Sequence, residues 1–256
     1  MIAFLQQQAQ RFGFQYAVQR IDTVGDALRA QGDRYAAAIL SAEEQQRFSR
    51  PVVHKRKLEW LAGRIAAKRA LADYAGIMDW PQAARHFSVL NDGAGAPFIG
   101  EYPELTLSLS HSHDYAVAVI AHGAIGIDIE KVEPRPMALA HYFCCAQERD
   151  FIEQEGDPQK GDPQEGGPQE GDHWKGGPLD RRDVDLTLLW CRKEAVAKYL
   201  RLGGRLAFAQ LNVLDDDLSL PDLCARSIRL LSAERDGYAI ALALPGGERQ
   251  AGEPTP

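Results

Sequence analysis

Two segments of this chain repeat one another's pattern, and that echo limits the folds open to it more than any other feature. Trp60 stands eight residues before Lys68 with Ala67 beside the lysine, and Trp190 stands eight before Lys198 with Ala197 beside it. A similar strand-like run follows in each half, Tyr115-Ala-Val-Ala-Val in the first and Tyr238-Ala-Ile-Ala-Leu in the second. Two helix-then-strand units of like pattern predict a duplication packed as two halves. The expected fold is therefore α+β, each half a helix on a small, mainly antiparallel sheet, with a site between them. The division falls at residues 1–122 and 123–256.

The second helix carries charge where burial would otherwise be expected. Trp190, Glu194 and Lys198 are spaced i, i+4, i+8, so one side presents an aromatic, a carboxylate and an ammonium in a column, with Leu189, Val196, Ala197 and Leu200 beside it. Taken alone, Glu194 and Lys198 make a surface ion pair worth ~0.3 kcal/mol. A second acidic cluster, Gly126-Ile127-Asp128-Ile129-Glu130, changes that reading. It is β-branched and alternating, so on a strand Asp128 and Glu130 face one side while Ile127 and Ile129 face the other. Adjacent carboxylates repel and ionise less readily when partly buried, and a divalent cation removes that penalty. With Glu194 packed beside the strand, three carboxylates would suit magnesium, which keeps waters and takes further oxygens from phosphates. Lys193, Lys198 and the basic stretch from Arg56 to Arg64 would supply charge for a phosphate ester or anhydride.

Elsewhere the pattern is structural. The N-terminal forty residues mix short apolar runs with a helix expected over Val24–Leu40. Ser41 and Glu44 form a capping box. Leu58–Leu71 is a proline-free helix whose weak point, Gly63, implies close approach of another backbone or a ligand. Thr106–Ser110 and Tyr115–Ala121 alternate as a hairpin around a polar corner. A helix is expected from His141 through Phe151 and Ile152. Residues 155–180 are a degenerate five-residue repeat of glycine, proline and charge, expected to be a mobile insertion.

A chain of 256 residues with a net charge of −7 is a poor bulk binder of nucleic acid or anionic membrane. No apolar run of about twenty residues exists to span a bilayer, and the first residues lack a secretory pattern, so a cytoplasmic protein is expected. The four cysteines, Cys144, Cys145, Cys191 and Cys224, lack metal-ligand spacing and are read as reduced structural thiols.

These residues together resemble the larger, Sfp-like 4'-phosphopantetheinyl transferases. The resemblance rests on Gly126–Glu130 and on Trp190–Lys198, supported by Leu61–Arg64, Leu109–Ser112 and Tyr142-Phe143, and runs in the family's order from about Ser41 to Leu200. It implies transfer of the phosphopantetheine arm of coenzyme A to a serine of an apo acyl or peptidyl carrier protein, releasing adenosine 3',5'-bisphosphate. By that resemblance Asp128, Glu130 and Glu194 match the magnesium positions, Glu194 also being the general base. Lys198 and His111 match phosphate contacts, Ser110 and Lys193 join the coenzyme A set, and Arg56 and Arg64, with Arg47 behind them, are assigned to the 3'-phosphate. The chain departs from the family pattern at Ala96, where many relatives carry a lysine, and at Cys191, where serine or threonine is common. A magnesium-dependent phosphoesterase and a non-catalytic binder of coenzyme A or carrier stand as alternatives. One chain supplying both halves implies a monomer.

Overall fold

The computed structural model, which describes residues 1–50, 52–155, 179–221, 223 and 227–247, joins two antiparallel sheets edge to edge. The chain opens with α1 (Ile2–Phe12), β1 (Gln15–Arg20), α2 (Ile21–Gln31) and α3 (Asp33–Ile39). The single helix expected over Val24–Leu40 is thus two, because Gly32 sits at φ 62°, outside the helical region. There follow α4 (Ala42–Phe48), α5 (His54–Ala75), α6 (Trp80–Ala83), a short hairpin of β2 (Val89–Asn91) and β3 (Pro97–Ile99), then β4 (Thr106–Ser112) and β5 (Tyr115–Ala121). The second half comprises β6 (Gly126–Lys131), α7 (Ala140–Phe143), α8 (Ala146–Glu155), α9 (Arg181–Tyr199), β7 (Asp217–Leu218), β8 (Ile228–Arg235) and β9 (Tyr238–Pro245). Cys224 and nearly all of the repeat segment lie outside the described residues.

Strand order is β1-β5-β4 in the first sheet and β6-β9-β8-β7 in the second. In one, Arg20 of β1 pairs with Tyr115 of β5; in the other, Lys131 of β6 pairs with Tyr238 of β9. The strands β1, β5 and β4 therefore occupy the places of β6, β9 and β8. Helix α5 packs on β1 and β5, and α9 on β6 and β9. On the far side, Ile127, Ile129, Val117, Val119, Ile240 and Leu242 form one apolar layer with Leu5 and Phe14.

Each helix is fastened by a buried ion pair. Glu44, at the start of α4, accepts from Lys68 of α5 at 2.5 Å, from Ser41 N at 2.8 Å and from Val89 N at 3.2 Å. Glu148, at the start of α8, accepts from Lys193 of α9 at 2.8 Å, from Cys145 N at 2.9 Å and from Val213 N at 2.9 Å. Both lysines finish their coordination on main-chain carbonyls: Lys68 on Ile39 and Ala84, Lys193 on Phe208 and Leu211.

That correspondence corrects the register of the internal repeat. Lys68 matches Lys193, not Lys198; Arg69 then matches Glu194, and Tyr74 matches Tyr199. Lys193 was expected to face a phosphate, but its ammonium is fully buried and committed to Glu148. Removing one member of such a pair strands the other charge, at a cost of about 3–5 kcal/mol. Urea unfolding of Glu148→Ala or Lys193→Ala should show that loss.

Candidate active site

The site begins with one atom that is missing. A Cβ on Gly126 would overlap the carbonyl oxygen of Ala195 and stand 2.7 Å from the nitrogen of Tyr199, so glycine is what lets α9 lie against β6. Gly63 has open space around it and borders a cavity, which leaves room for a ligand rather than another backbone; at this site the glycine that a backbone approaches closely is Gly126. With α9 that near, Glu194 and Lys198 come down beside Asp128 and Glu130.

Alternation on β6 turns Ile127 and Ile129 into the apolar layer and the two acids toward α9. Asp128 is buried, and its Oδ1 accepts from Lys198 Nζ at 2.6 Å and from Ser110 Oγ at 2.7 Å. Its Oδ2 is buried with no hydrogen-bond partner. Glu130 Oε2 accepts from Ser112 Oγ at 3.0 Å and lies 3.9 Å from Arg135. The ion pair drawn along the helix from Glu194 to Lys198 is thus replaced by one from Lys198 to the strand.

Serines of β4 hold the strand that bears the acids. Ser108, Ser110 and Ser112 accept from the main-chain N–H groups of Ile127, Ile129 and Lys131 at 3.0, 3.3 and 3.0 Å. Ser110 and Ser112 then donate to Asp128 and Glu130. All three hydroxyls therefore join the halves, and those of Ser110 and Ser112 also orient a carboxylate.

Burial raises the pKa of Glu194 above the usual carboxylate value, Lys198 opposes the shift, and Asp128 and Glu130 add to it. Glu130 is raised by burial and then by Asp128. The three acids therefore share one field, as like charges gathered without a cation would. Among the described residues no group of three histidines, cysteines or acids stands ready to hold a metal ion; Lys198 sits on Asp128 instead. In kind, three carboxylates with a buried, unpartnered oxygen fit a hard divalent cation.

Beside the acids opens a cavity of about 540 Å³. Glu194 and Lys198 line it from the second half, and Arg56, Trp60, Arg64, Asn91, Ser110 and His111 from the first. His111 is exposed, yet desolvation within the cleft lowers its pKa. Arg64 stacks over Trp60 at 4.4 Å and donates to Asn91 Oδ1 at 3.0 Å, where Arg47 also donates at 3.1 Å. Desolvation brings the Arg64 pKa down to about 10, and its Nε is buried without a partner. Residue patterns did not point to Asn91, Trp60 or Arg201, which join the lining only through tertiary packing. Cys144, Cys145 and Cys191 are free and buried, as read.

An acid cluster that calls for a cation, facing a basic cavity, is the apparatus of a phosphoryl-group enzyme. Two family models match: 4'-phosphopantetheinyl transferase N-terminal domain over residues 43–121, and 4'-phosphopantetheinyl transferase superfamily over 124–243. A holo-[acyl-carrier-protein] synthase of Geobacillus sp. (strain WCH70) is 34% identical over 99 residues, 37% of this chain and 82% of that protein. One from Oceanobacillus iheyensis is 36% identical over 97 residues, 36% of this chain and 81% of that protein. The 4'-phosphopantetheinyl transferase psf-1 of Bacillus pumilus is 34% identical over 115 residues, 44% of this chain and 38% of that protein. Among solved structures, a holo-(acyl-carrier-protein) synthase from Bacillus anthracis in complex with CoA (3',5'-ADP) has 26% identity and a TM-score of 0.37, covering 42% of this chain and 91% of that one. The chain belongs to the 4'-phosphopantetheinyl transferase superfamily. No helix among the described residues is long and apolar enough to cross a membrane.

The burial of Glu194, with Asp128 and Glu130 beside it, has a measurable sign. A carboxyl whose pKa is raised by folding destabilises the native state above that pKa, and the penalty vanishes below the unfolded value of ~4.3. Glu194→Gln should therefore stabilise the protein at neutral pH, with the gain fading as pH falls to ~4. Thermal melts against pH check this.

Proposed function

We propose that the transfer of phosphopantetheine from coenzyme A to a carrier serine runs through the acids of β6 and α9, with Mg2+ held by Asp128, Glu130 and Glu194. The observation that carries this reading is the orphaned, buried Oδ2 of Asp128, beside Glu130 and Glu194, whose pKa values burial raises. Held by these carboxylates, magnesium would supply positive charge to offset the negative charge that builds on phosphate during transfer.

The chain's own groups account for the remaining steps. Arg56 and Arg64 hold the 3'-phosphate end of coenzyme A and His111 takes a phosphate oxygen. Lys198, now on Asp128, is the cation that a pyrophosphate would draw away. Ser110 orients Asp128 while lining the cavity. Glu194 accepts the proton of the carrier serine, directly or through a water. The serine oxygen attacks the phosphorus bearing the pantetheine. The bond to the second phosphate breaks, and adenosine 3',5'-bisphosphate leaves.

Domains divided at residues 122 and 123 would give one wall of the cleft each, so a monomer suffices. We place the enzyme in the cytoplasm with its substrates. An acidic carrier would dock on a basic or apolar face near the cavity, and high salt would slow transfer.

Incubation with coenzyme A, magnesium and an apo carrier, read by intact mass, tests the reading. The carrier should gain the phosphopantetheine mass, EDTA should stop the gain, and Glu194→Gln should slow it about 100-fold or more. Hydrolysis of coenzyme A with no change in the carrier would favour a phosphoesterase. Binding without turnover would favour a non-catalytic role. Transfer undiminished in Glu194→Gln would overturn its place in the site.

A further inference from the structure

Arg201 occupies a position that ordinarily suits glycine. It follows α9 at φ 54°, in the left-handed region. Its N–H donates to Lys198 O at 3.1 Å, and the N–H of Leu202 donates to Ala197 O at 3.0 Å. That pair of bonds defines a helix terminus whose left-handed residue is usually glycine, because a Cβ there is strained. A bulky side chain kept at such a place points to a use for it.

The side chain crosses the cavity. From the end of α9 it reaches Asp92 in the β2–β3 turn, Nη2 to Oδ2 at 2.8 Å, and it lines the same space as Arg56, Arg64 and Lys198. Asp92 uses its other oxygen to cap the turn, accepting from Ala94 N and Ala96 N at 2.9 Å each. Both members of the pair are about one-third exposed, so the link is open to exchange with a competing anion.

Asp92 adjoins Asn91, where Arg47 and Arg64 converge. Among the described residues Arg64 makes no ion pair, and its buried Nε has no partner, so this end of the cavity holds a desolvated cation awaiting an anion. Lys198 and the acids form a second phosphate-directed locus. A ligand with two separated phosphate groups would meet both.

We infer that Arg201 is a specificity-determining residue for the phosphate monoester end of the nucleotide, leaving Asp92 to join Arg64 and Arg47 on the 3'-phosphate. This rests on the coenzyme A reading above. It draws the Arg201 cation from the turn just past the end of α9. Specificity would then arise from closing the two halves on one phosphate.

Calorimetric titration of adenosine 3',5'-bisphosphate and of 5'-AMP, without carrier or turnover, separates the possibilities. Arg201→Gly, which relieves the backbone and should not lower the melting temperature, is expected to weaken the bisphosphate roughly tenfold while leaving 5'-AMP unchanged. Asp92→Asn, whose amide oxygen can still cap the turn, should tighten the bisphosphate by releasing the arginine. Equal weakening of both nucleotides by Arg201→Gly, or no change in either, would overturn the assignment. Wild-type protein that bound neither nucleotide would instead bring down the coenzyme A reading, and this inference with it.

Discussion

The molecule depends on how the edge of β6 is satisfied. An edge strand presents a row of main-chain donors that water or another strand must meet. Among the described residues no strand does; three serine hydroxyls on β4 accept from Ile127, Ile129 and Lys131 instead. A backbone ladder would have used those donors and left side chains independent of them. Serine hydroxyls also donate, and two of them turn to Asp128 and Glu130. The seam that makes one body of two halves is therefore also what aims the carboxylates.

Duplication supplied the frame, and divergence the chemistry. In both halves a helix-start glutamate receives a buried lysine and two main-chain N–H groups, which sets each long helix at the same height over its sheet. Equivalent positions then differ. Where the second half has Glu194 above Glu130, the first has Arg69, whose Nη1 donates to Gln19 at 3.3 Å. Asp128 corresponds to Ala17. One half can gather acids only because the other did not, and its long helix was left to bring Arg56 and Arg64 to the opposite wall.

Much of this was legible in the residues, for definite reasons. Strand alternation put Asp128 and Glu130 on one side, and the capping box at Ser41 is a local pattern that the fold keeps. The repeat was visible, but its register was drawn from the tryptophans. Trp60 lines the cavity, whereas Trp190 packs between Phe143 and Phe208, so they are not equivalent. Lys193 stands beside Glu194 in a charged run and reads as a phosphate contact. Its partner, Glu148, lies in another helix far back in the chain, and no local pattern announces a buried pair. Gly126 was part of the motif, but only the packing of α9 shows that it is there for lack of a Cβ. Arg201 was invisible because its meaning lies in a dihedral angle and a reach across the cleft.

The central claim is that Asp128, Glu130 and Glu194 become one cation site when a phosphate draws Lys198 from Asp128. A crystal structure with manganese and coenzyme A, recorded at a wavelength where manganese scatters anomalously, tests it directly. The account predicts an anomalous peak bounded by the three carboxylates, with Lys198 Nζ moved from Asp128 onto a phosphate oxygen. An anomalous peak elsewhere, or a bound coenzyme A with the Lys198–Asp128 pair intact, would contradict it.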